Sequence, residues 1–269
     1  MKTIGIVGGG YVGRAIQKLF EDHYRVYTYD IANSPEYLKD VAYTSDVVFV
    51  CVPTPMRQDG TCDTSIVESV VAEADAPLII IKSTVTPGTT ERLQAKYGKH
   101  IVFAPEYCGE STYWSPYKWD REIKEMPFFI FGGAPGDTSK AVDLYLPVVG
   151  PTKIFRQTTA KVAEMVKYAV NCFYAAKITF CYELNQICQR AGVDYNQMRD
   201  LWLLDPRINP MHTAVFAGND APFGGKCFPK DLNGLVAWAE TELNYSPELL
   251  NEVLSSNYRI EQYRKNGWK

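Results

Sequence analysis

The chain has 269 residues, of which 46% are hydrophobic and 22% charged, as in globular proteins of one large or two modest domains. The formal net charge of −3 gives no indication of a nucleic acid or an anionic membrane as partner. No apolar run approaches the roughly 20 residues of a membrane-spanning helix, and the N-terminus lacks a signal-peptide pattern. We therefore expect the cytosol as compartment. The seven cysteines lack zinc-like spacing, so they are interpreted as thiols and no metal is expected.

The first half of the chain alternates short apolar runs with segments of helical periodicity. The run at 47–52 is continuously apolar, as is typical of a strand buried on both faces. Repeated β-α units of this kind predict a parallel sheet with helices on both faces, an α/β fold. The predicted strands are 3–7, 25–29, 47–52, 78–81, 101–104 and 128–132, and the predicted helices are 11–20, 66–74 and 89–97.

The pattern changes near residue 158. From 159 to about 191 the sequence has neither Pro nor Gly, and apolar residues recur at helical spacing. A helix of about 30 residues is roughly 45 Å long, which exceeds an ordinary α/β unit and predicts a second, all-α domain built on one long central helix. We therefore divide the chain into an α/β domain at 1–157 and a helical domain at 158–269. Further helices are predicted around 196–204, 232–243 and 247–264.

A glycine-rich turn follows the first predicted strand and fits the pattern Gly-x-Gly-x-x-Gly. Gly8 allows a tight turn, Gly10 lets a pyrophosphate approach the backbone, and Gly13 lets helix and strand pack closely. The helix N-terminus favours the bound anion. Asp30 ends the second strand, where a carboxylate accepts hydrogen bonds from the adenosine ribose and repels a 2′-phosphate. The turn therefore predicts a Rossmann-type domain that binds NAD rather than NADP; the alternative is a tight turn without ligand.

Two further constellations suggest nucleophile and oxyanion chemistry. Cys227 follows two glycines and precedes a helix predicted to begin near Pro229, where the helix N-terminus and neighbouring lysines would lower the pKa of a thiol. The alternative is a buried structural cysteine. Lys167 and Asn171 lie four residues apart on one face of the long helix and could donate hydrogen bonds to a developing oxyanion. The alternative for this pair is a solvated helix face.

Polar segments follow two of the predicted strands. Lys82, Ser83 and Thr84 end one strand, and Glu106 and Glu110 follow another. Both segments lie at the carboxyl edge of the predicted sheet, where ligands bind in open α/β folds. Either glutamate could act as a general base, or both could be solvated loop charges.

Taken together, these motifs resemble the UDP-glucose/GDP-mannose dehydrogenase family, in the family's order and over nearly the whole chain. The most specific segment is Phe223-Gly224-Gly225 followed by Cys227-Phe228-Pro229-Lys230-Asp231, in combination with the lysine and asparagine of the long helix. Other matching segments are Val52-Pro53-Thr54-Pro55, 82–90, Pro105-Glu106, Glu164-Met165-Val166-Lys167-Tyr168 with Asn171, Lys177-Ile178 with Glu183, and Asp205-Pro206-Arg207-Ile208.

The resemblance implies a four-electron oxidation of the C6 primary alcohol of a nucleotide sugar to a uronate with two NAD, most simply UDP-glucose to UDP-glucuronate. Cys227 would attack the intermediate aldehyde, a second oxidation would give a thioester, and water would release the acid. Lys167 and Asn171 would stabilise the successive oxyanions. Asp231, four residues after the cysteine, would orient water or the lysine.

The resemblance also assigns expected roles to further residues. Thr84 and Glu110 would position or deprotonate the hydrolytic water. Arg207 would reach the substrate of the partner subunit, which implies a homodimer built around the long helix. Substrate contacts are expected at Glu106, Arg207, Phe223, Gly224 and Lys230, and cofactor contacts at Gly8, Gly10, Tyr11, Val12, Gly13, Asp30, Val52, Pro53, Thr54, Thr84 and Glu110.

Longer members of the family carry a third domain that holds much of the nucleotide. Because this sequence ends at Lys269, just past the predicted connecting helix, we expect a short form without that domain. One alternative is a two-electron β-hydroxyacid-type dehydrogenase, which has no use for Cys227 and would yield one NADH per substrate instead of two. Another is a non-catalytic NAD-binding subunit that needs a partner chain.

Overall fold

The computed structural model describes residues 2–109, 117, 122–215, 222–225 and 227–265, with side chains as far as residue 262. The chain forms two compact units. The first, here called the sheet unit, contains the described residues of 2–55, 62–109, 117 and 122–167. The second, the helical unit, contains residues 56–61 and the described residues from 168 onward.

The sheet unit is built on seven strands in the order β2-β1-β3-β4-β5-β6-β7. The central strands β3 and β4 are fully buried, which is why their sequences, Val-Val-Phe-Val and Ile-Ile-Ile, are apolar throughout. The strands are β1 (Thr3–Val7), β2 (Arg25–Tyr29), β3 (Val47–Val50), β4 (Ile79–Ile81), β5 (Ile101–Phe103), β6 (Phe128–Gly132) and β7 (Ile154–Thr158), and the helices that follow them are α1 (Tyr11–Phe20), α2 (Tyr37–Tyr43), α3 (Ser65–Glu73), α4 (Thr89–Tyr97) and α5 (Pro135–Val149).

Helices cover both faces of this sheet, as predicted. On one face α1 and α5 pack against the strands, with the ring of Phe20 meeting Tyr145 edge to face at 5.0 Å. On the other face α2, α3 and α4 contribute side chains such as Tyr43, Val67 and Leu93 to a second cluster. The two apolar layers fix the sheet, and thereby the loops at the carboxyl ends of its strands.

The sheet is parallel, as predicted, except at one pairing, where β6 runs antiparallel to β5, with Phe103 opposite Gly132. An antiparallel neighbour needs no helical crossover. In the described part of the connection from β5 to β6, the only helical segment is a 3-10 turn at Ile123–Glu125. β7 then pairs parallel with β6, so the two strands form a reversed edge on an otherwise parallel sheet.

The helical unit is organised around a helix of 32 residues, α6 (Ala160–Ala191), which begins in the sheet unit. It ends just before Gly192, whose positive φ of 69° is typical of a helix C-terminus. The predicted long helix and the α/β-plus-helical fold class are therefore confirmed. The other helices are α7 (Tyr195–Trp202), α8 (Phe228–Leu243) and α9 (Glu248–Lys265). Within the described residues, no helix combines the length and apolarity needed to cross a membrane.

Lys99 closes the C-terminus of α3. Its Nζ donates hydrogen bonds to the carbonyl oxygens of Val71, Ala72 and Ala74, at 2.7, 2.7 and 2.6 Å. These carbonyls lie at the negative end of the helix dipole and lack partners within the helix. A single ammonium therefore satisfies most of the helix end.

We predict that Lys99→Met lowers the free energy of unfolding by about 1 to 2 kcal/mol, since it removes hydrogen bonds from a charged donor. Urea unfolding followed by circular dichroism measures this. The exposed Lys124 is the matched control, and Lys124→Met should change the free energy by less than about 0.5 kcal/mol. Equal effects of the two substitutions would contradict a specific capping role.

Candidate active site

The turn between β1 and α1 needs glycine for steric reasons at two positions. A Cβ at Gly8, where φ is +104°, would lie 2.3 Å from the carbonyl oxygen of Cys51, and one at Gly13 would lie 1.9 Å from that of Gly8. Gly10, the residue before α1, is different. A Cβ there would meet no described atom within 4 Å, so the chain's own packing does not demand glycine. Open space above a helix N-terminus is what the approach of a pyrophosphate requires.

The Asp30 carboxylate is held beside this turn. Its Oδ2 accepts a hydrogen bond from the Gly9 amide at 2.8 Å, and its Oδ1 accepts one from the Ala32 amide at 3.0 Å. Tyr11 and Val12, in the first turn of α1, are half-buried. The glycine turn and the carboxylate expected to bind the ribose are therefore adjacent, and they fit an NAD molecule.

The loops after β3 and β4 are tied together. The Ser83 hydroxyl donates to the carbonyl oxygen of Val52 at 2.7 Å. In the β3 loop Val52 is half-buried, Pro53 exposed and Thr54 buried. Thr84, directly after the serine, is half-buried at the same carboxyl edge of the sheet.

An ion pair is buried between the ends of β4 and β5. Lys82 and Glu106 are each only 5% exposed, and Nζ of the lysine lies 3.3 Å from Oε2 of the glutamate. Oε1 accepts hydrogen bonds from the amides of Tyr107 and Cys108, at 2.8 and 2.7 Å. The lysine also donates to the carbonyl oxygen of Pro105 at 3.3 Å.

The pair is ionised on both sides. Burial opposes the charge of Glu106, but the Lys82 ammonium and the hydrogen bonds from the amide and the side chain of Cys108 outweigh it and lower the pKa of the carboxyl. Burial likewise opposes the lysine's charge, but the carboxylate outweighs it and raises the pKa of the ammonium. The pair thus stabilises the fold between the ordinary values of 4.5 and 10.5. That contribution is lost as pH falls through the lowered pKa or rises through the raised one.

Lys167 on α6 is anchored to the same loop. Its Nζ donates to the backbone carbonyl oxygen of Glu106 at 2.5 Å and lies 5.6 Å from the centre of the Tyr107 ring. One turn earlier, Glu164 accepts hydrogen bonds from the amides of Gly88 and Thr90, at 2.6 and 2.8 Å. α6 is therefore fastened to the N-terminus of α4 at the turn that presents the lysine.

The helical unit holds a second cluster. The Asn171 amide, 7% exposed, donates from Nδ2 to Oδ2 of Asp231 at 2.5 Å, and this carboxylate is only 1% exposed. Lys230 forms an ion pair with the other oxygen, Oδ1. The cluster joins α6 to the first turn of α8 within the unit.

Cys227 lies at the N-cap of α8, because the helix begins at Phe228, next to the start predicted near Pro229. The Asp231 amide donates to the Cys227 carbonyl oxygen at 2.9 Å, so the two residues are one helical turn apart, as predicted. Among the seven cysteines, all of which lie in the described part of the chain, this one alone is exposed. In contrast, burial raises the pKa of Cys172 to about 12. An exposed cysteine at a helix N-terminus has the setting of a nucleophile.

Of the remaining predicted residues, Phe223 packs against Phe228 in the helical unit, with ring centroids 6.5 Å apart. Arg207 is exposed and pairs with Asp205, its Nη2 2.6 Å from Oδ2. Phe223 is buried, and its amide donates to Oδ1 of Asn257 at 3.0 Å, whereas Gly224 is exposed. Glu110 lies outside the described residues. Within those residues, no three His, Cys, Asp or Glu side chains form a group able to hold a metal ion.

Sequence reasoning missed two functional candidates, Lys82 and Glu164. The lysine ends a run of four apolar residues, where a charge is out of place unless it is paired, and that was the available signal. The glutamate lies three residues before Lys167, on the same side of the helix, but its partners are the amides of a distant turn. No local pattern indicates such a contact.

Two family models match the chain. Residues 32–115 match the NAD binding domain of the UDP-glucose/GDP-mannose dehydrogenase family, and residues 161–259 match its central domain. Together they span more than half of the chain. The first match and the fit of the glycine turn confirm the prediction of NAD as cofactor.

Individual relatives agree with the family models. UDP-glucose 6-dehydrogenase AglM of Haloferax volcanii is 31% identical over 242 residues, which cover 81% of this chain and 53% of the relative. GDP-mannose 6-dehydrogenase of Pseudomonas aeruginosa is 28% identical over 239 residues, 81% of this chain and 52% of the relative. The chain thus spans about half the length of these relatives.

A solved structure supports the same conclusion. The UDP-glucose dehydrogenase of the hyperthermophilic archaeon Pyrobaculum islandicum superposes with a TM-score of 0.79 at 27% identity, covering 98% of this chain and 69% of that one. The resemblance inferred from the motifs is therefore confirmed, and the chain belongs to the UDP-glucose/GDP-mannose dehydrogenase family.

Proposed function

We propose that this protein oxidises the C6 primary alcohol of a nucleotide sugar to a carboxylate with NAD, through a thioester on Cys227. UDP-glucose is the first substrate to test, since relatives named UDP-glucose 6-dehydrogenase are among the matches. The observation that carries the proposal is the exposed thiol at the N-cap of α8, one turn before Asp231, whose carboxylate is bound by Asn171. The proposed compartment is the cytosol, because the chemistry needs a reduced thiol.

The reaction has three parts. The alcohol loses a hydride and a proton and becomes an aldehyde. The Cys227 thiolate adds to the aldehyde carbon, forming a C–S bond and an oxyanion, and loss of a second hydride from that carbon gives the thioester. Water then adds, the C–S bond breaks, and the carboxylate leaves while the thiolate is restored. Bound NAD supplies the hydride acceptor for each of the two oxidations.

The donors proposed for the oxyanions are Lys167 and Asn171. The ammonium has three protons, and the carbonyl oxygen of Glu106 takes one of them. The amide has two protons on Nδ2, and Asp231 takes one. Within the described part of the chain each side chain is thus held by one hydrogen bond, which leaves at least one further N–H for an oxyanion, and such pre-organisation is what oxyanion stabilisation requires.

Hydrolysis of the thioester needs a positioned water. We assign this water to Thr84, at the carboxyl edge of the sheet, and to Glu110. Asp231 is proposed to orient Asn171. Substrate contacts are proposed for Glu106, Phe223, Gly224 and Lys230.

Cys227→Ser should abolish formation of the acid, because a serine alkoxide is not generated at neutral pH as a thiolate is. We expect two NADH per acid from the wild type and at most one per substrate from the variant, measured by absorbance together with product analysis. Cys188→Ser, at a buried cysteine of the same unit, is the control and should keep two.

Each other outcome separates the alternatives. Two NADH per substrate from Cys227→Ser would exclude the covalent mechanism. One NADH per substrate from the wild type would favour a two-electron dehydrogenase of the β-hydroxyacid type. Binding of NAD without oxidation of UDP-glucose, UDP-N-acetyl sugars or GDP-mannose would favour a non-catalytic subunit.

Gly10→Ala should weaken NAD binding at least about tenfold, or 1.4 kcal/mol, without lowering the melting temperature. The added methyl group meets no described atom of the chain but occupies the space above the N-terminus of α1. Gly136→Ala is the matched control, since a Cβ there also meets no described atom within 4 Å. Calorimetric titration and thermal unfolding measure both properties, and equal NAD affinity of the two variants would refute the assigned pyrophosphate position.

We also propose a homodimer formed through α6, with Arg207 reaching the substrate of the partner subunit. Phe173, Phe180 and Ile187 are spaced by seven residues and therefore lie along one helix face. They are 63%, 51% and 56% exposed. An apolar stripe of this regularity on a long helix is typical of a helix-packing interface.

Phe180→Glu should convert the dimer to a monomer, because it places a charge in the middle of the stripe. Sedimentation velocity at micromolar concentration measures the change. Leu249→Glu, at a residue of α9 that is 72% exposed, is the control and should remain dimeric. A monomeric wild type, or a dimer in both variants, would contradict this interface.

A further inference from the structure

We propose that Lys82 is a positioning residue, which holds the Glu106 carboxylate and fixes the turn that orients Lys167. This inference deepens the proposed function, and its kinetic part rests on it. Lys82 is only 5% exposed and its ammonium pairs with Glu106, so it acts through its neighbours and not on the substrate. Nothing in the expected roles of the motifs assigns it a task.

The first argument is the environment of the Glu106 carboxylate. Oε1 accepts hydrogen bonds from two backbone amides. Oε2 is buried and, among the described residues, has no hydrogen-bond donor in suitable geometry; its neighbour is the Lys82 ammonium at 3.3 Å. A buried carboxylate without a counter-charge would take up a proton. The charge of Glu106 therefore depends on a nearby cation.

The second argument is the position of the other charged and titratable groups. Glu106 faces Lys167 from α6, whose ammonium contacts its backbone oxygen and not its carboxylate. Around the ion pair lie Tyr145, whose buried hydroxyl has no hydrogen-bond partner among the described residues, and the thiols of Cys51 and Cys108. Burial raises the pKa of Tyr145 and of Cys51 to about 12 each, so both are neutral at pH 7. Lys82 is thus the principal counter-charge.

The third argument concerns the backbone. Lys82 donates to the carbonyl oxygen of Pro105, and Lys167 donates to that of Glu106, the next residue. Two lysines from different elements, the end of β4 and α6, thus hold consecutive carbonyl groups of one turn. Loss of the first hydrogen bond and of the ion pair would free the turn, and the second carbonyl would no longer orient the Lys167 ammonium.

The test measures the protonation of Glu106 directly and needs neither cofactor nor substrate. Infrared spectra of protein with isotope-labelled glutamate distinguish a carboxylic acid from a carboxylate. At pH 7 we expect the acid band in Lys82→Met, its absence in the wild type, and its loss again in Lys82→Met with Glu106→Gln. Lys167→Met is the matched control and should show no acid band. An ionised Glu106 in Lys82→Met, or an acid band in Lys167→Met, would overturn the proposal.

Thermal unfolding is the second measurement, for the case that Lys82→Met does not fold well enough for infrared spectroscopy. If Lys82→Met is too unstable for spectroscopy, the double variant should unfold at a higher temperature than the single one, because it no longer buries an unpaired carboxyl. A double variant no more stable than Lys82→Met would overturn the role of the ion pair.

The kinetic arm separates this inference from the proposed function. With an active wild type, Lys82→Met should lower kcat about tenfold or more while the Kd of NAD stays within about twofold, since the glycine turn is untouched. An unchanged kcat would refute the positioning role. An inactive wild type would refute the proposed function alone, and the infrared result would still decide the role of Lys82.

Discussion

The buried ion pair between Lys82 and Glu106 is the constraint on which the candidate active site depends. Two charges removed from water cost several kcal/mol each unless they are paired and hydrogen-bonded. Here the ion pair joins the end of β4 to the loop after β5, and two backbone amides donate hydrogen bonds to the other oxygen of the carboxylate. The carbonyl oxygen of Glu106 in the same loop accepts a hydrogen bond from Lys167, so the position of this ammonium depends on the loop that the buried pair holds.

α6 carries three of the polar side chains described above, Glu164, Lys167 and Asn171. Glu164 caps the N-terminus of α4, and one turn later the same helix presents Lys167. One further turn brings Asn171, whose amide binds the carboxylate of Asp231 in the first turn of α8. Because a helix repeats every 3.6 residues, three positions spaced by three and four residues share a face. The sequence spacing therefore places both proposed oxyanion donors on one side of α6.

Elements with a simple period were predictable from the sequence, and contacts between distant segments were not. β1, α1 and the long helix follow from apolar periodicity and the glycine pattern. β7 was not predicted because its edge position leaves Ile-Phe-Arg-Gln-Thr largely exposed, which gives no apolar pattern. α5 was not predicted because it contains Pro147. The ion pair of Lys82 was not predictable because it depends on how β4 and β5 are aligned in the sheet, which is a tertiary property.

The two lysines that hold consecutive carbonyls differ in what their ammonium groups can still do. Lys82 is buried, and its ammonium contacts the carbonyl oxygen of Pro105 and the carboxylate of Glu106, so its charge is compensated within the fold. Lys167 is half-buried, and among the described residues its ammonium has one hydrogen-bond acceptor, the carbonyl oxygen of Glu106, for its three protons. An oxyanion that forms during a reaction gains most from a donor that is already oriented and does not have to leave another anion. Lys82 and the Glu106 carboxylate neutralise each other inside the fold, whereas Lys167 is bound to a neutral carbonyl oxygen, and this is the arrangement that its proposed role as an oxyanion donor requires.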